Sequence, residues 1–514
     1  MISLSRQKNL WNLSLLAVFA ILLLASNSRA TTIQNDVFWK DISGNVLYSQ
    51  SGTILKVGGT YYWWGNKYGN AVNYAADPSI RKRGGGGGFA AVTCYSSADL
   101  VHWKFENNVL VPAAVPGSGP GDWFGRMGVV YNANTRKYVL IMEYIPRGVK
   151  FGEELFATSD TPAGTFAFDH IQAQLANVVN NAPGDQTVFT DDDGKAYIVF
   201  SSSHGRNHQY IAPLRASDFL NIEPATQIFQ GPGREGNCMF KYDGRYYYCS
   251  SNLHGWNASP TYVISSTNIL GPYGPESVMA NTELDFSHVT QTGFFITVAG
   301  TKQTTVIFAG DRWSNFGGNG IGYNDWTPLS FNGVTPVFNS LSQWDFDATT
   351  GAWSVGAGNN YVLNPSFEAD RVSQHALAGW TNTTNVSGGD PNGNSKKEEA
   401  HTGNYCMQQA YSTDYTASMS QNIKLPNGEY TLSAWVKSSG GQSSAALAAR
   451  NFGGTDMSYS IAMPIANWTM VTIQGIHVTN GECQVAIISD AKANNWVEVD
   501  DISLVNSSDK RVAD

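Results

Sequence analysis

Two acidic residues stand directly ahead of two β-hairpin patterns. Asp185 opens Asp185-Gln186-Thr187-Val188-Phe189, which continues through Asp193-Gly194 to Ala196-Tyr197. Glu235 opens Glu235-Gly236-Asn237-Cys238-Met239-Phe240, which continues through Asp243-Gly244 to Tyr246-Tyr247. In each, an acid precedes an apolar strand, an Asp-Gly turn and an aromatic strand. An earlier hairpin, Ser51 to Tyr62, has the same form with Ser51 at the matching position. Two converging carboxyls suit cleavage of a glycosidic bond: one protonates the leaving oxygen while another group handles water on the opposite face. Glu235 lies between Gly233 and Gly236, where backbone and substrate can approach closely, and is the candidate proton donor. An aromatic cavity with a second carboxylate nearby would raise its pKa towards working pH. Asp185 would stay ionised, hold Glu235 and tune it. Either acid alone reads as a turn or strand-end cap; the equivalence of the two favours chemistry.

The elements that position these acids recur along the chain. An apolar strand, a tight turn and an aromatic or β-branched strand appear at Ile54 to Trp64, Gly128 to Glu143, Thr187 to Phe200, Met239 to Ser250 and Phe294 to Phe308. Such units, roughly fifty to eighty residues apart, predict an all-β fold with five propeller blades whose inner strands face one central cavity. The last propeller stretch is expected to run through Trp344 to Trp353. After the Gly356 to Asn360 segment the composition shifts to alternating strands, such as Tyr430 to Val436 and Trp468 to Ile473, which suit a jelly-roll β-sandwich. The expected organisation is a signal segment over 1–30, a propeller domain over 31–355 and a sandwich over 361–507.

The first thirty residues combine Arg6 and Lys8, an apolar run from Leu13 to Ala25, and Ser28-Arg29-Ala30. That pattern reads as a cleaved secretion signal, too short to span a bilayer comfortably. Removing Arg6, Lys8 and Arg29 leaves 29 basic against 41 acidic residues, a net charge of −12. An acidic exterior argues against nucleic acid or an anionic membrane as partner. A secreted monomer is expected. Five cysteines are too few for a disulfide scaffold. Cys238 and Cys249 fall opposite each other if Lys241 pairs with Tyr246, so a bond between them is expected, with two buried thiols as the alternative. Cys406 and Cys483 would bridge two C-terminal strands, and Cys94 would be free. The Gly84 to Gly88 run reads as a flexible loop, without the Lys-Ser/Thr and helix of a phosphate cradle.

These motifs resemble glycoside hydrolase family 43, a family of inverting five-bladed β-propeller enzymes. The resemblance covers roughly residues 37 to 353 and extends to Cys94 to Trp103 and Asp191 to Tyr197. It implies that Glu235 is the general acid and Asp185 the pKa modulator. The family's general base is usually an Asp where this chain has Ser51, and Ser is a poor base without a partner. The exo-β-1,3-galactanase branch also lacks that Asp. Thr290-Gln291-Thr292-Gly293 resembles its Ser-Gln-Ser-Thr segment, and Gly310-Asp311-Arg312-Trp313 its Gly-Asp-Arg-Trp. Asn252 to Asn257 is similar to its Leu-Thr-Gly-Trp segment. There, the glutamine matching Gln291 acts in place of the base. Gln291, with Gln50, is therefore expected to position water. One departure is Gly125-Arg126-Met127-Gly128, where the branch carries Glu-Arg-Pro-Lys, so its substrate-binding glutamate is missing; Glu143 on the next strand is the candidate to reach the cavity instead.

Sugars are held by aromatic faces and planar polar groups. Trp64, Trp256, Trp313, Arg126 and Arg312 are the further candidates, with Trp63 and Trp123 behind them. The resemblance implies an exo-acting enzyme on plant-type wall polysaccharide, needing no cofactor for catalysis. Related branches cleaving arabinofuranosyl, galactofuranosyl or xylosyl ends are the alternatives, and a glycan-binding protein without catalysis is the alternative from another class. Residues Asn364-Pro365-Ser366-Phe367-Glu368 and Val499-Asp500-Asp501-Ile502-Ser503-Leu504 resemble the two ends of jelly-roll carbohydrate-binding modules. Glu368 and Asp500 would there share a structural Ca²⁺.

Overall fold

The computed structural model describes residues 30–77, 88–313, 324–370, 373–396 and 400–507. The expected signal segment, apart from Ala30, and Gly84 to Gly87 of the glycine run lie outside these residues. The regular structure of the described chain is almost all antiparallel strand. No helix among the described residues is long and apolar enough to cross a membrane.

Each of the five hairpins expected from the sequence forms the first two strands of a four-stranded antiparallel sheet. The first strands are Gln50–Val57, Trp123–Asn132, Pro183–Thr190, Arg234–Tyr242 and Gln291–Ala299. They touch one another in sheet order, and the fifth touches the first, so they form a closed cycle. Turn chemistry sets the register. Asp243 and Gly244 both adopt positive φ, 47° and 70°, as a tight hairpin turn requires. Lys241 then faces Tyr246, and Cys238 faces Cys249.

The sheets pack face to face through apolar residues. Trp63 and Tyr95 of the first sheet meet Phe294, Ile296 and Trp326 of the fifth; Val130 and Ile141 of the second meet Ile198 and Phe200 of the third. Burying each of Phe294 and Ile296 contributes about 1.5–3 kcal/mol. A separate small sheet joins Thr31–Gln34, Gln343–Phe346 and Trp353–Val355 in that order, so Gln343–Phe346 pairs with the start of the described chain and with Trp353–Val355 rather than extending the fifth sheet.

Beyond this, two five-stranded antiparallel sheets share one apolar core that includes Phe367, Leu432, Leu447, Val485 and Val499. The Gly/Asn connector is tied down at both ends. Asn359 Oδ1 accepts from the Ser342 amide, and Asn360 donates to the Ile502 carbonyl.

All five cysteines are buried thiols. The expected Cys238–Cys249 bond is absent although the pair is in register: Cys238 donates to the Cys249 carbonyl instead. Facing positions on paired strands do not by themselves supply the dihedral a disulfide needs. Cys406 and Cys483 lie in different sheets and form no bridge.

Candidate active site

Every first strand slips register at the same level. The shifts fall between Gln50 and Thr53, Phe124 and Met127, Pro183 and Gln186, Glu235 and Cys238, and Thr292 and Phe294. Each β-bulge contains a glycine: Gly52, Gly125, Gly184, Gly236 or Gly293. Bulges re-aim the adjacent side chains, here towards the middle of the cycle. At Gly236, φ is +62° and a Cβ would lie 2.5 Å from the Thr292 carbonyl oxygen, so only glycine fits beside Glu235.

The re-aimed side chains line a cavity of about 220 Å³. Ser51, Arg126, Asp185, Glu235 and Gln291 come from the five bulged strands, and Glu143 enters from a neighbouring strand. Arg126 is the hub. Its Nε donates to Asp185 Oδ2 at 3.0 Å, Nη1 to Asp311 Oδ2 at 3.0 Å and Nη2 to Gln291 Oε1 at 2.6 Å. Arg206 Nη1 pairs with Asp185 Oδ1 and reaches Glu235 Oε2 at 3.3 Å. The Gly236 amide donates to Asp185 Oδ2 at 2.9 Å. Gln291 Nε2 donates to Glu235 Oε1 at 2.9 Å, and its Oε1 also accepts from Trp313 Nε1 at 3.1 Å. Both donors to that oxygen fix which way the amide faces.

This network separates the carboxyls electrostatically. Burial would raise Asp185, but Arg206, Arg126 and the Gly236 amide outweigh it and bring its pKa down to about 2. Burial and the Asp185 charge push Glu235 up to about 7. Burial and the same Asp185 charge push Glu143 to about 7. Pairs of acids driven apart in this way are how a site keeps one carboxyl ionised and another protonated.

Aromatic rings close the cavity. Trp256 meets Trp313 edge-on at 5.0 Å and Trp123 at 5.6 Å, and Tyr68 stacks near Trp123 at 6.0 Å.

Three expected site residues are elsewhere. Trp64 is fully buried between the first two sheets, donating to the Pro162 carbonyl. Gln50 is buried on the strand and, unlike its neighbour Ser51, does not line the cavity. Arg312 turns away: it binds Asp36 and Asp325 and donates to the His288 carbonyl. Side chains alternate along an extended chain, so Asp311 and Trp313 serve the site while Arg312 between them faces the other way. Arg206, Asp311 and Tyr68 were not foreseen. A signal for Arg206 exists: His204-Gly205-Arg206 and His254-Gly255-Trp256 follow equivalent strands, both with glycine at positive φ.

Residues 48–320, more than half of the chain, match the family described as glycosyl hydrolases family 43. The chain belongs to that family, a β-propeller family, and is a glycoside hydrolase acting on carbohydrate. An exo-β-1,3-galactanase from Phanerochaete chrysosporium, solved with β-1,3-galactotriose, has a similar fold. Identity is 21%, the TM-score is 0.56, and the match covers 92% of this chain and 100% of that one. An exo-β-1,3-galactanase from Clostridium thermocellum is similar at 20% identity and TM-score 0.56, covering 92% and 99%. A family 43 β-1,3-galactosidase matches at 28% identity and TM-score 0.54, over 62% of this chain and 65% of its own. A protein of Xylanibacter ruminicola named "Putative beta-xylosidase" is 29% identical over 120 residues, 23% of this chain. The match spans only 21% of that relative's length.

Proposed function

We propose that this chain is an inverting, exo-acting hydrolase that removes terminal galactose from β-1,3-galactan or arabinogalactan. Glu235 protonates the leaving oxygen, and Asp185 holds its proton affinity. Gln291 orients Glu235 through its amide N–H. The observation that carries this reading is the split of acids around Arg126 and Arg206, with Glu235 at about 7 and Asp185 at about 2. The cavity, about 220 Å³, is smaller than the ~300–1,000 Å³ of pockets for larger ligands, which suits one terminal sugar ring. Similarity to β-1,3-galactan-cleaving structures supports the substrate. It rests on the same proposal that the five sheets are five propeller blades over residues 31–355.

Glu235→Gln is expected to lower turnover by at least ~10³ while sugar binding by calorimetry persists. Unchanged turnover would sink the acid assignment. Product analysis on β-1,3-galactan, arabinan, xylan and galactofuranosyl substrates, followed by NMR, reads substrate and anomer together. A β-anomer as first product from a β-linkage would contradict inversion. The partial match to the Xylanibacter protein favours one second reading, β-xylosidase; xylose release without galactose release would install it.

The same proposal takes residues 1–30 as a cleaved secretion signal, testable by N-terminal sequencing of exported protein. It takes residues 361–507 as a jelly-roll carbohydrate-binding module. There, Glu368 Oε1 accepts from the Asn404 and Tyr405 amides, and Asp500 Oδ2 from the His401 and Thr402 amides. Burial and the charges of Asp501 and Glu368 push Asp500 well up. The proposal seats a structural Ca²⁺ with Glu368 and Asp500, because hard oxygens suit that ion.

A further inference from the structure

The family's usual base position holds Ser51, whose backbone amide, not its side chain, binds Asp311. Gln291 is the other expected partner of water, yet its amide is spent. Its oxygen accepts from Arg126 and Trp313, and its nitrogen donates to Glu235 and to the Gly255 carbonyl at 3.3 Å. An amide has two acceptor and two donor positions, so none is left to accept from water.

A different carboxyl reaches the cavity. We propose that Glu143, seated in the space that Gly125 leaves open, takes the proton from the attacking water. This rests on the glycoside hydrolase reading above. A Cβ at Gly125 would lie 2.1 Å from Glu143 Oε2 and 2.8 Å from Trp123 Nε1. Any other residue at 125 therefore displaces the carboxyl, and the glycine that removes one acid from this chain makes room for another. Glu143 comes from the second sheet and Glu235 from the fourth, with Asp185 of the third between them. Both line the one cavity and both feel the charges of Asp185 and Arg206, so an acid and a base are available to one bound sugar.

Behind Glu143 stands Glu154, its cross-strand partner. Glu154 is fully buried and neither carboxyl oxygen has a hydrogen-bond partner. Burial and the Glu143 charge push it well up, while burial and the Asp185 charge bring Glu143 to about 7. In the step itself, the water oxygen bonds to the anomeric carbon as the bond to the leaving oxygen breaks. Glu143 accepts the water proton and Glu235 gives its own to the leaving oxygen. Exchange with solvent restores both.

The test uses the full-length protein and an aryl glycoside of whichever sugar the wild type releases. Glu143→Ala is expected to lower kcat by ~10²–10⁴ with KM within a few-fold. Azide, as a small nucleophile needing no base, should restore turnover and give a glycosyl azide of inverted configuration. Glu143→Gln should erase the acid-side fall of kcat/KM and keep the alkaline one. Gly125→Ala should lower kcat by ~10–100-fold at unchanged melting temperature, because the base is misplaced. The inference is overturned by a kcat loss under tenfold in Glu143→Ala, by a change in KM alone, or by azide rescue of Gln291→Ala and not of Glu143→Ala. A wild-type chain inert on every glycan tested overturns the functional reading and this base together; an active wild type with an indifferent Glu143 overturns this base alone.

Discussion

Two buried arginines organise two acidic clusters in this molecule, and they balance the buried charge differently. Arg126, helped by Arg206, holds Asp185 and Asp311 but shares its cavity with two further carboxyls, Glu143 and Glu235. More acid than base is buried there, and the surplus appears as two glutamates raised to about 7. Arg312 instead sits with Asp36, Asp325, Asp285 and His288, beside a larger cavity of about 390 Å³ between the five-sheet region and the C-terminal sheets. There burial would lower His288, but Asp36 outweighs it and raises it; Arg312 and His288 hold Asp36 well below the usual carboxylate range, while burial raises Asp285 and Asp325. The contrast teaches that cavity size and acid content do not mark the reactive site; uncompensated charge beside an aromatic wall does.

The sharpest way to break the comparison is to remove Arg312. Arg312→Met leaves Asp36 and Asp325 without their main counter-charge. Losing one partner of a buried pair costs about 3–5 kcal/mol of stability. The expected result is a lowered melting temperature by calorimetry with kcat per folded molecule unchanged. If kcat fell while melting held, Arg312 would belong to the chemistry and the two clusters would not be separate.

The pH profile gives a smaller, graded effect. Glu235 must carry its proton to act, and its pKa in the folded chain is about 7. The requirement for this proton is met below that value and lost above it, so kcat/KM falls about tenfold per pH unit on the alkaline side, while the acid-side fall belongs to Glu143. The limb should be the same in Arg312→Met, since that cluster does not face Glu235. A profile flat to pH 9 would show that Glu235 is not the titrating acid.

Much of this was legible beforehand. The five hairpins, the Cys238–Cys249 register and the pairing of Asp185 with Glu235 follow from turn residues and from period-two patterning, which are local properties. Arg126, Glu143, Trp256 and Trp313 were also placed in the cavity. What failed depended on direction. Trp64 and Arg312 sit beside site residues in sequence, but alternation sends their side chains to the opposite face. The two disulfides failed for different reasons: Cys238 and Cys249 face each other, which alone does not make a bond, whereas Cys406 and Cys483 lie in different sheets. Arg206 was missed because it enters from a loop, and the clue lay in comparing two His-Gly-x segments rather than in either alone. Gly125 was the most instructive position. Read alone it marks a lost glutamate; only the 2.1 Å approach to Glu143 shows what the missing side chain permits.

The smallest expected effect concerns a third acidic cluster, Glu368, Asp500 and Asp501. It resembles the Arg126 cluster in burying surplus acid and the Arg312 cluster in lacking an aromatic cavity. His401 bonds Asp501 at 2.5 Å, whereas Asp500, with no exposure at all, accepts only amide donors. If a Ca²⁺ supplies the missing charge, chelation should lower the melting temperature of the C-terminal region, and added Ca²⁺ should restore it. At a Ca²⁺ concentration 100 times its Kd the ion stabilises by about 2.7 kcal/mol. Activity on a short aryl glycoside should not change, because that substrate needs only the cavity around Arg126. A chelator that abolished this activity would place a metal in the reaction and merge regions that the charge balance keeps apart; a chelator without any effect on melting would leave Asp500 neutral by protonation, as its raised pKa allows.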